Sequence, residues 1–214
     1  MRVIWTSYNS REEWLKSRDS GIGASEIGSV LGVGYKSRIE LWREKIHAVE
    51  REDLSGNERV AFGNAAEDAL RSLFRVMYPE YLLEFEPFTV LRQEGEYDFL
   101  FDTPDGWLTE IATGKRGLYE SKTATLLSRA DYEKWWEKVP DSYFTQVCQG
   151  MFCGDFDFAV IFALLRNKDN DAYVRSYRFD RTDCEWKIEE IKREGKAFWK
   201  HCVDKTLPSM PLTL

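Results

Sequence analysis

Apolar and charged positions recur along this chain with two periods, and the periods divide it into elements. Residues 10–17 read as a short helix, with Trp14 and Arg18 one turn apart. Gly21-Ile22-Gly23-Ala24-Ser25-Glu26-Ile27 then reads as a tight loop entering a helix, with Ser25 as its N-cap. Ile39, Trp42 and Ile46 recur at helical spacing across 37–47. The strongest helical pattern covers 57–78 and stops at Pro79. Gly63, Glu67, Leu70 and Phe74 share one face of it, so Glu67 lies on or beside an apolar stripe. A carboxylate there needs a partner or an outlet to water. Three strand-like segments follow, about 83–92, 96–102 and 117–123, with Pro87 marking an edge or a bulge in the first. In the second, Asp98, Leu100 and Asp102 lie opposite Tyr97, Phe99 and Phe101. Thr103-Pro104-Asp105-Gly106 is a turn. In the third, Leu118, Glu120 and Lys122 share a face. Helices over 129–138 and 141–153, a buried strand over 156–166, a paired strand over 171–180 and an amphipathic helix over 181–203 complete the pattern, ahead of an extended apolar tail from 207. A helical crossover between the third strand and the strand at 156–166 predicts a parallel pair within a mixed α/β sheet.

No repeat and no low-complexity linker divides the 214 residues, so a single domain over 1–214 is expected. Apolar residues at 43% and charged residues at 31% argue against a wholly disordered chain. The formal net charge of −7 excludes a uniformly basic nucleic-acid coat but leaves room for a local basic groove. No apolar run approaches a membrane span, and the first residues lack a secretory stretch, so no membrane partner and a cytoplasmic location are expected. Cys148, Cys153, Cys184 and Cys202 have no CxxC spacing and read as buried free thiols. With only His47 and His201, a histidine-rich metal site is impossible. Metal chemistry would have to rest on carboxylates, which favours Mg²⁺ or Mn²⁺ over zinc.

The pattern that carries chemistry is Asp105 followed by Glu120-Ser121-Lys122, a D-x14-E-x-K spacing. On a strand, Glu120 and Lys122 point the same way, ~7 Å apart. Asp105, in the preceding turn, can swing back beside Glu120. Two close carboxylates hold their positions best around a divalent cation, and an adjacent ammonium can position a water or offset charge developing on phosphorus. Phosphodiester hydrolysis needs that set. The same spacing also describes a solvated strand face with a Glu/Lys pair.

Four blocks, in order, resemble the phage lambda exonuclease / YqaJ-type viral recombinase family of the PD-(D/E)XK nuclease superfamily. They are Arg18-Asp19-Ser20-Gly21-Ile22-Gly23-Ala24-Ser25-Glu26, Gly63-Asn64-Ala65-Ala66-Glu67, Pro104-Asp105-Gly106 with Glu120-Ser121-Lys122, and Tyr143-Phe144-Thr145-Gln146-Val147. The resemblance implies a restriction-endonuclease-like fold, a mixed central sheet flanked by helices with its core at about 57–166. Helices within 10–47 would form a 5′-phosphate pocket, and the helix 181–203 and tail would complete the domain. It implies Asp105, Glu120 and the backbone carbonyl of Ser121 as metal ligands, and Lys122 as the residue that activates or positions the attacking water. Glu67 would complete the site through a water, and Gln146 would line it. Many relatives carry a second glutamine two residues on, where this chain has Cys148; Gln149 points elsewhere on the helix. Arg18 and Ser25 would hold a 5′-terminal phosphate, with Trp14 packed under the guanidinium or stacked on a base.

The implied activity is Mg²⁺-dependent (with Mn²⁺ a substitute) 5′→3′ digestion of one strand of linear double-stranded DNA, leaving 3′ overhangs for phage-type recombination. A toroidal homotrimer and a single-strand annealing protein as partner come with it. The competing readings are a metal-dependent endonuclease on the same fold and a non-catalytic DNA-end-binding or assembly subunit.

Overall fold

The structure, a computed structural model, describes residues 2–50, 56–169 and 171–209. Its elements are, in order, β1 (Val3–Ser7), α1 (Arg11–Ser17), a 3₁₀ turn (Arg18–Ser20), β2 (Ile22–Gly23), α2 (Ala24–Val30), α3 (Arg38–Lys45) and α4 (Glu58–Met77). Next come β3 (Tyr81–Glu84), β4 (Thr89–Gln93), β5 (Leu100–Asp102), β6 (Gly106–Glu110) and β7 (Arg116–Leu126). α5 (Arg129–Trp136), α6 (Asp141–Gly154), β8 (Phe158–Asn167), β9 (Ala172–Asp180) and α7 (Arg181–Val203) follow. Several helices start where a side chain can receive a free amide. Ser37 caps α3 while Glu40 reaches back to it, and Asn57 accepts from the first amides of α4.

Two sheets share the strands. One has five, in the order β3-β6-β7-β8-β9, and the other four, in the order β1-β4-β5-β2. The expected parallel pair is β7 with β8, in register from Gly117 opposite Phe158 to Leu126 opposite Asn167. α6 is the crossover between them and packs against both sheets. Val147, Met151 and Phe152 of α6 join Leu91 and Leu100 of the smaller sheet to Leu118, Ile161 and Leu165 of the larger in one core. On the other face of the larger sheet, Leu70 and Phe74 of α4 cover Tyr119, Phe158 and Phe162. Phe74 is fully buried there, and truncating it to alanine would cost roughly 3–5 kcal/mol. This is the α/β restriction-endonuclease-like architecture, with the five-stranded mixed sheet flanked by helices.

Four expectations need correction. The segment 83–92 is two strands in different sheets, because the chain breaks at Pro87 and Phe88, whose φ is 57°. The strand expected over 96–102 is only Leu100–Asp102. The residues after the Pro-Asp-Gly turn form β6, which pairs antiparallel with β7. Ser25 is not an N-cap: Gly23 occupies that place, its amide bonded to Glu26 Oε2 at 2.8 Å, and Ser25 lies in the first turn of α2. Of the apolar tail, Leu207 is exposed and Pro208 buried, and residues 210–214 lie outside the described residues.

Candidate active site

β7 has a strand on each side, and its alternation sends Leu118, Glu120 and Lys122 toward α6 and Tyr119 and Ser121 toward α4. Glu120 is 3% exposed. Its Oε1 accepts from Lys122 Nζ at 2.6 Å and from Gln146 Nε2 at 2.5 Å. Its Oε2 is buried with no hydrogen-bond partner. Asp105 stands where β6 begins at Gly106, opposite Tyr119. Beyond that point its carboxylate takes the next ladder position, accepting from the amide and the hydroxyl of Ser121, both at 2.8 Å. Arg71 of α4 fixes the same turn by donating to the Asp105 carbonyl at 3.1 Å. The aromatic ring of Tyr143 lies 5.0 Å from Lys122 Nζ.

Negative charge is crowded here. Burial, and then Asp105, push the Glu120 carboxyl well above its ordinary range, against the pull of Lys122. Burial lowers the Lys122 ammonium, but Glu120 and Asp105 outweigh it and raise the group overall, so Lys122 stays protonated. Glu67 on α4 is pushed up to about 7, by burial first and Asp105 second. Its side chain is 37% exposed and sits at the edge of the stripe, with Arg71 Nη1 at 4.0 Å. Asp102 is also pushed up to about 7, by burial and then by Asp105. It is 2% exposed, and its Oδ2 has no partner.

Crowded carboxylates with an orphaned buried oxygen fit a hard divalent cation held through oxygen, as Mg²⁺ and Mn²⁺ are. Among the described residues, no three Asp, Glu, His or Cys side chains converge on one point. The carboxylates such a cation would draw on first are those of Asp105 and Glu120, which crowd each other.

Stability without metal should register this crowding. An acid whose folded pKa exceeds its unfolded value costs nothing below the unfolded value and costs fully above the folded one. For Asp102 that window runs from 3.8 to about 7. Thermal melts in a chelator should therefore show stability falling as pH rises through it. Asp102→Asn should flatten that fall and raise stability by on the order of 2 kcal/mol at about pH 8.

Arg18, Ser25 and Trp14 come together as a second cluster. Arg18 Nη2 donates to Ser25 Oγ at 3.2 Å, and its guanidinium carbon lies 5.1 Å from the Trp14 ring centroid. Trp14 also packs against Phe88, with ring centroids 6.1 Å apart. Gln146 reaches Glu120, whereas Gln149 is fully buried and donates to the carbonyls of Ile22 and Phe101 at 2.8 and 2.9 Å. Gln149 thus ties α6 to the smaller sheet, and Cys148 faces the core. Gly150 lets the helix come this close: a Cβ there would sit 2.5 Å from Leu118 and 2.7 Å from Asp102.

Two residues at the site escape sequence reasoning. Arg71 is one turn after Glu67, a spacing that marks it only as an ion-pair candidate. Tyr35 is 83% exposed, and its hydroxyl shares a 2.6 Å hydrogen bond with Tyr143 across 108 residues, so no local pattern signals it.

Fold and site together define a restriction-endonuclease-like α/β protein with an Asp-Glu-Lys constellation around the buried Glu120. Residues 13–157 match the YqaJ-like viral recombinase domain, and the chain belongs to that family. It is 30% identical over 139 residues to YqaJ of Bacillus subtilis (strain 168), an alignment covering 64% of this chain. The chain spans 40% of that relative's length. Its fold is similar to that of an alkaline exonuclease (LHK-Exo) from Laribacter hongkongensis, with a TM-score of 0.65 at 17% identity over 91% of this chain and 93% of that one. That exonuclease has also been solved in complex with dAMP. A phage-related exonuclease from Haemophilus somnus 129PT gives a TM-score of 0.55 at 12% identity, over 86% of this chain and 96% of that one. Among the described residues, no helix is long and apolar enough to cross a membrane.

Proposed function

We propose that this chain is a divalent-metal-dependent 5′→3′ exonuclease that degrades one strand of linear double-stranded DNA. The observation that carries the reading is the Glu120 carboxylate, buried beside Asp105, bonded to Lys122 and Gln146 through one oxygen and left open at the other. Membership in a viral recombinase family and a fold shared with alkaline exonucleases support it.

Asp105, Glu120 and the Ser121 carbonyl would hold Mg²⁺, with Mn²⁺ as a substitute. The cation supplies the Lewis acidity that phosphodiester hydrolysis needs. The chain's own residues do the rest. Lys122, kept protonated by Glu120 and Asp105 despite its burial, supplies positive charge where a phosphate oxygen gains negative charge. Glu67, pushed up to about 7 and partly open to solvent, is matched to accept the proton of the attacking water. Gln146 fixes the Glu120 carboxylate. Arg18 and Ser25 present a guanidinium and a hydroxyl to a terminal 5′-phosphate. Released mononucleotides would carry a 5′-phosphate, the class to which the dAMP bound by the Laribacter enzyme belongs. A toroidal homotrimer would let an acidic chain line a basic channel for DNA. A single-strand annealing protein is the partner that the resulting 3′ overhang calls for.

The test is a time course with Mg²⁺ on linear duplexes carrying 5′-phosphate or 5′-hydroxyl ends, beside a closed circle. The phosphorylated linear strand should disappear fastest and the circle should survive. Arg18→Ala should reduce the preference for phosphate by about tenfold or more. Cleavage of the circle would move the protein to the endonuclease reading, and cleavage of nothing would leave an end-binding protein.

A further inference from the structure

α3 turns Arg38, Leu41 and Lys45 inward. The Lys45 side chain is 0% exposed, and its Nζ lies 2.7 Å from Glu26 Oε2. The same ammonium donates to the Arg18 carbonyl at 3.1 Å. Glu26 is held in turn by the Gly23 amide, and Lys45 and Arg18 keep its carboxyl low against the effect of burial. Three cations gather round one ring: Arg92, Arg18 and Lys45 lie 4.8, 5.8 and 6.0 Å from the centroid of Phe101. Arg92 is pinned by the Ser17 carbonyl at 3.3 Å, the Ser20 hydroxyl at 2.7 Å and the Asp98 carbonyl at 3.0 Å.

Stability alone does not call for a lysine in this place. Burying an ion pair costs desolvation that its Coulomb attraction often fails to recover, and apolar side chains of like volume do as well or better. What the ammonium adds is a link between two oxygens on different segments. Glu26 belongs to the first turn of α2, which also carries Ser25. The Arg18 carbonyl belongs to the 3₁₀ turn before it. Lys45 therefore joins the segment carrying the guanidinium to the helix carrying the hydroxyl, and the two side chains meet at 3.2 Å. Arg92 fastens the other side of the same turn. Lys45 and Glu26 offset each other's charge, so it is Arg92 that adds positive charge behind Arg18, which suits a phosphomonoester dianion better than the monoanionic diester of a continuous strand.

We propose that Lys45 is a positioning residue for recognition of a terminal phosphate: through the Arg18 carbonyl and Glu26 it sets the Arg18 guanidinium against the Ser25 hydroxyl. The proposal rests on the reading of Arg18 and Ser25 as a 5′-phosphate pocket. Its test uses the full chain with Mg²⁺ and reads the ratio of initial rates on 5′-phosphate and 5′-hydroxyl duplex ends, for wild type, Arg18→Ala, Lys45→Met and the double variant Lys45→Met/Glu26→Gln. Circular dichroism reports folding. Lys45→Met should lower the ratio by about tenfold, as displacement of a gripping group does. If the lone Glu26 charge prevents folding of that variant, the double variant, which removes both charges, should show the same fall. A wild-type ratio in either folded variant, with Arg18→Ala still losing the preference, overturns the role of Lys45 and leaves the pocket standing. Equal loss on both ends would make Lys45 purely structural and also overturn it. A wild-type protein indifferent to the 5′-phosphate would refute the pocket, and the role of Lys45 with it.

Discussion

Lys122→Met is expected to lower DNA cleavage by about three orders of magnitude while leaving the fold and end binding in place. The size follows from where the ammonium sits. It lies 2.6 Å from Glu120 and 5.0 Å from the Tyr143 ring, on a strand with neighbours on both sides, so it is directed before any substrate arrives. A charge directed in advance at a developing negative charge acts at the transition state rather than on binding. The rate constant at saturating DNA should therefore collapse while the apparent affinity for DNA changes little. Single-turnover cleavage beside a gel-shift titration separates the two. A Lys122→Met protein that cleaves within tenfold of wild type would remove the ammonium from the chemistry. The removal leaves Glu120 without its ion-pair partner, so a melting curve belongs beside the rates. Gln146, which bonds the same oxygen, keeps the carboxylate in place.

The second large effect is on metal and pH together. Glu67 and Asp102 sit at about 7, and Glu120 is raised well above its ordinary range, before any cation arrives. Groups that hold protons near neutrality must release them as a cation binds, so metal affinity rises with pH. Raising the pH from about 6 to about 8 should lower the Mg²⁺ concentration for half-maximal activity by more than tenfold. Saturating Mg²⁺ should shrink the pH effect, because the cation itself drives the protons off. Chelation should abolish cleavage at every pH, and Mg²⁺ or Mn²⁺ should restore it. A half-saturating Mg²⁺ concentration unchanged across that range would mean that these carboxylates do not meet the cation.

Much of this arrangement was legible in the sequence, for local reasons. The helical stripe of Leu70 and Phe74 and the long apolar strand before Arg166 carry period and length enough to be read directly, and both lie in the core. The Glu120/Lys122 face follows from alternation, and a Pro-Asp-Gly turn has few conformations open to it. What was not legible depends on distant pairing. β1 leaves Ile4 and Trp5 substantially exposed and exists because β4 pairs with it some eighty residues later. Pro87 interrupts the alternation that starts at Leu83, but whether the chain bulges there or passes to another sheet is decided by the distant strands that pair with each half. Ser25 resembled a cap by residue type, yet the reach of Glu26 back to the Gly23 amide places the helix start two residues earlier. In α3 the pattern of Ile39, Trp42 and Ile46 pointed to one face, while the buried row is Arg38, Leu41 and Lys45. A lysine and an arginine turned inward are invisible to a reading that equates burial with apolarity. The partners that make them tolerable, Glu26 and Glu194, lie on other helices.

If Asp105 and Glu120 hold a cation that drives hydrolysis at DNA ends, removing the Asp105 carboxylate removes the chemistry but not the protein's grip on DNA. The most direct measurement is release of nucleotides from a 5′-phosphorylated linear duplex in Mg²⁺ by wild type and by Asp105→Ala, with both proteins shown to be folded and to bind the duplex. Steady release is expected from the wild type, with a fall of at least about a thousandfold in the variant. Release by Asp105→Ala at the wild-type rate would contradict it.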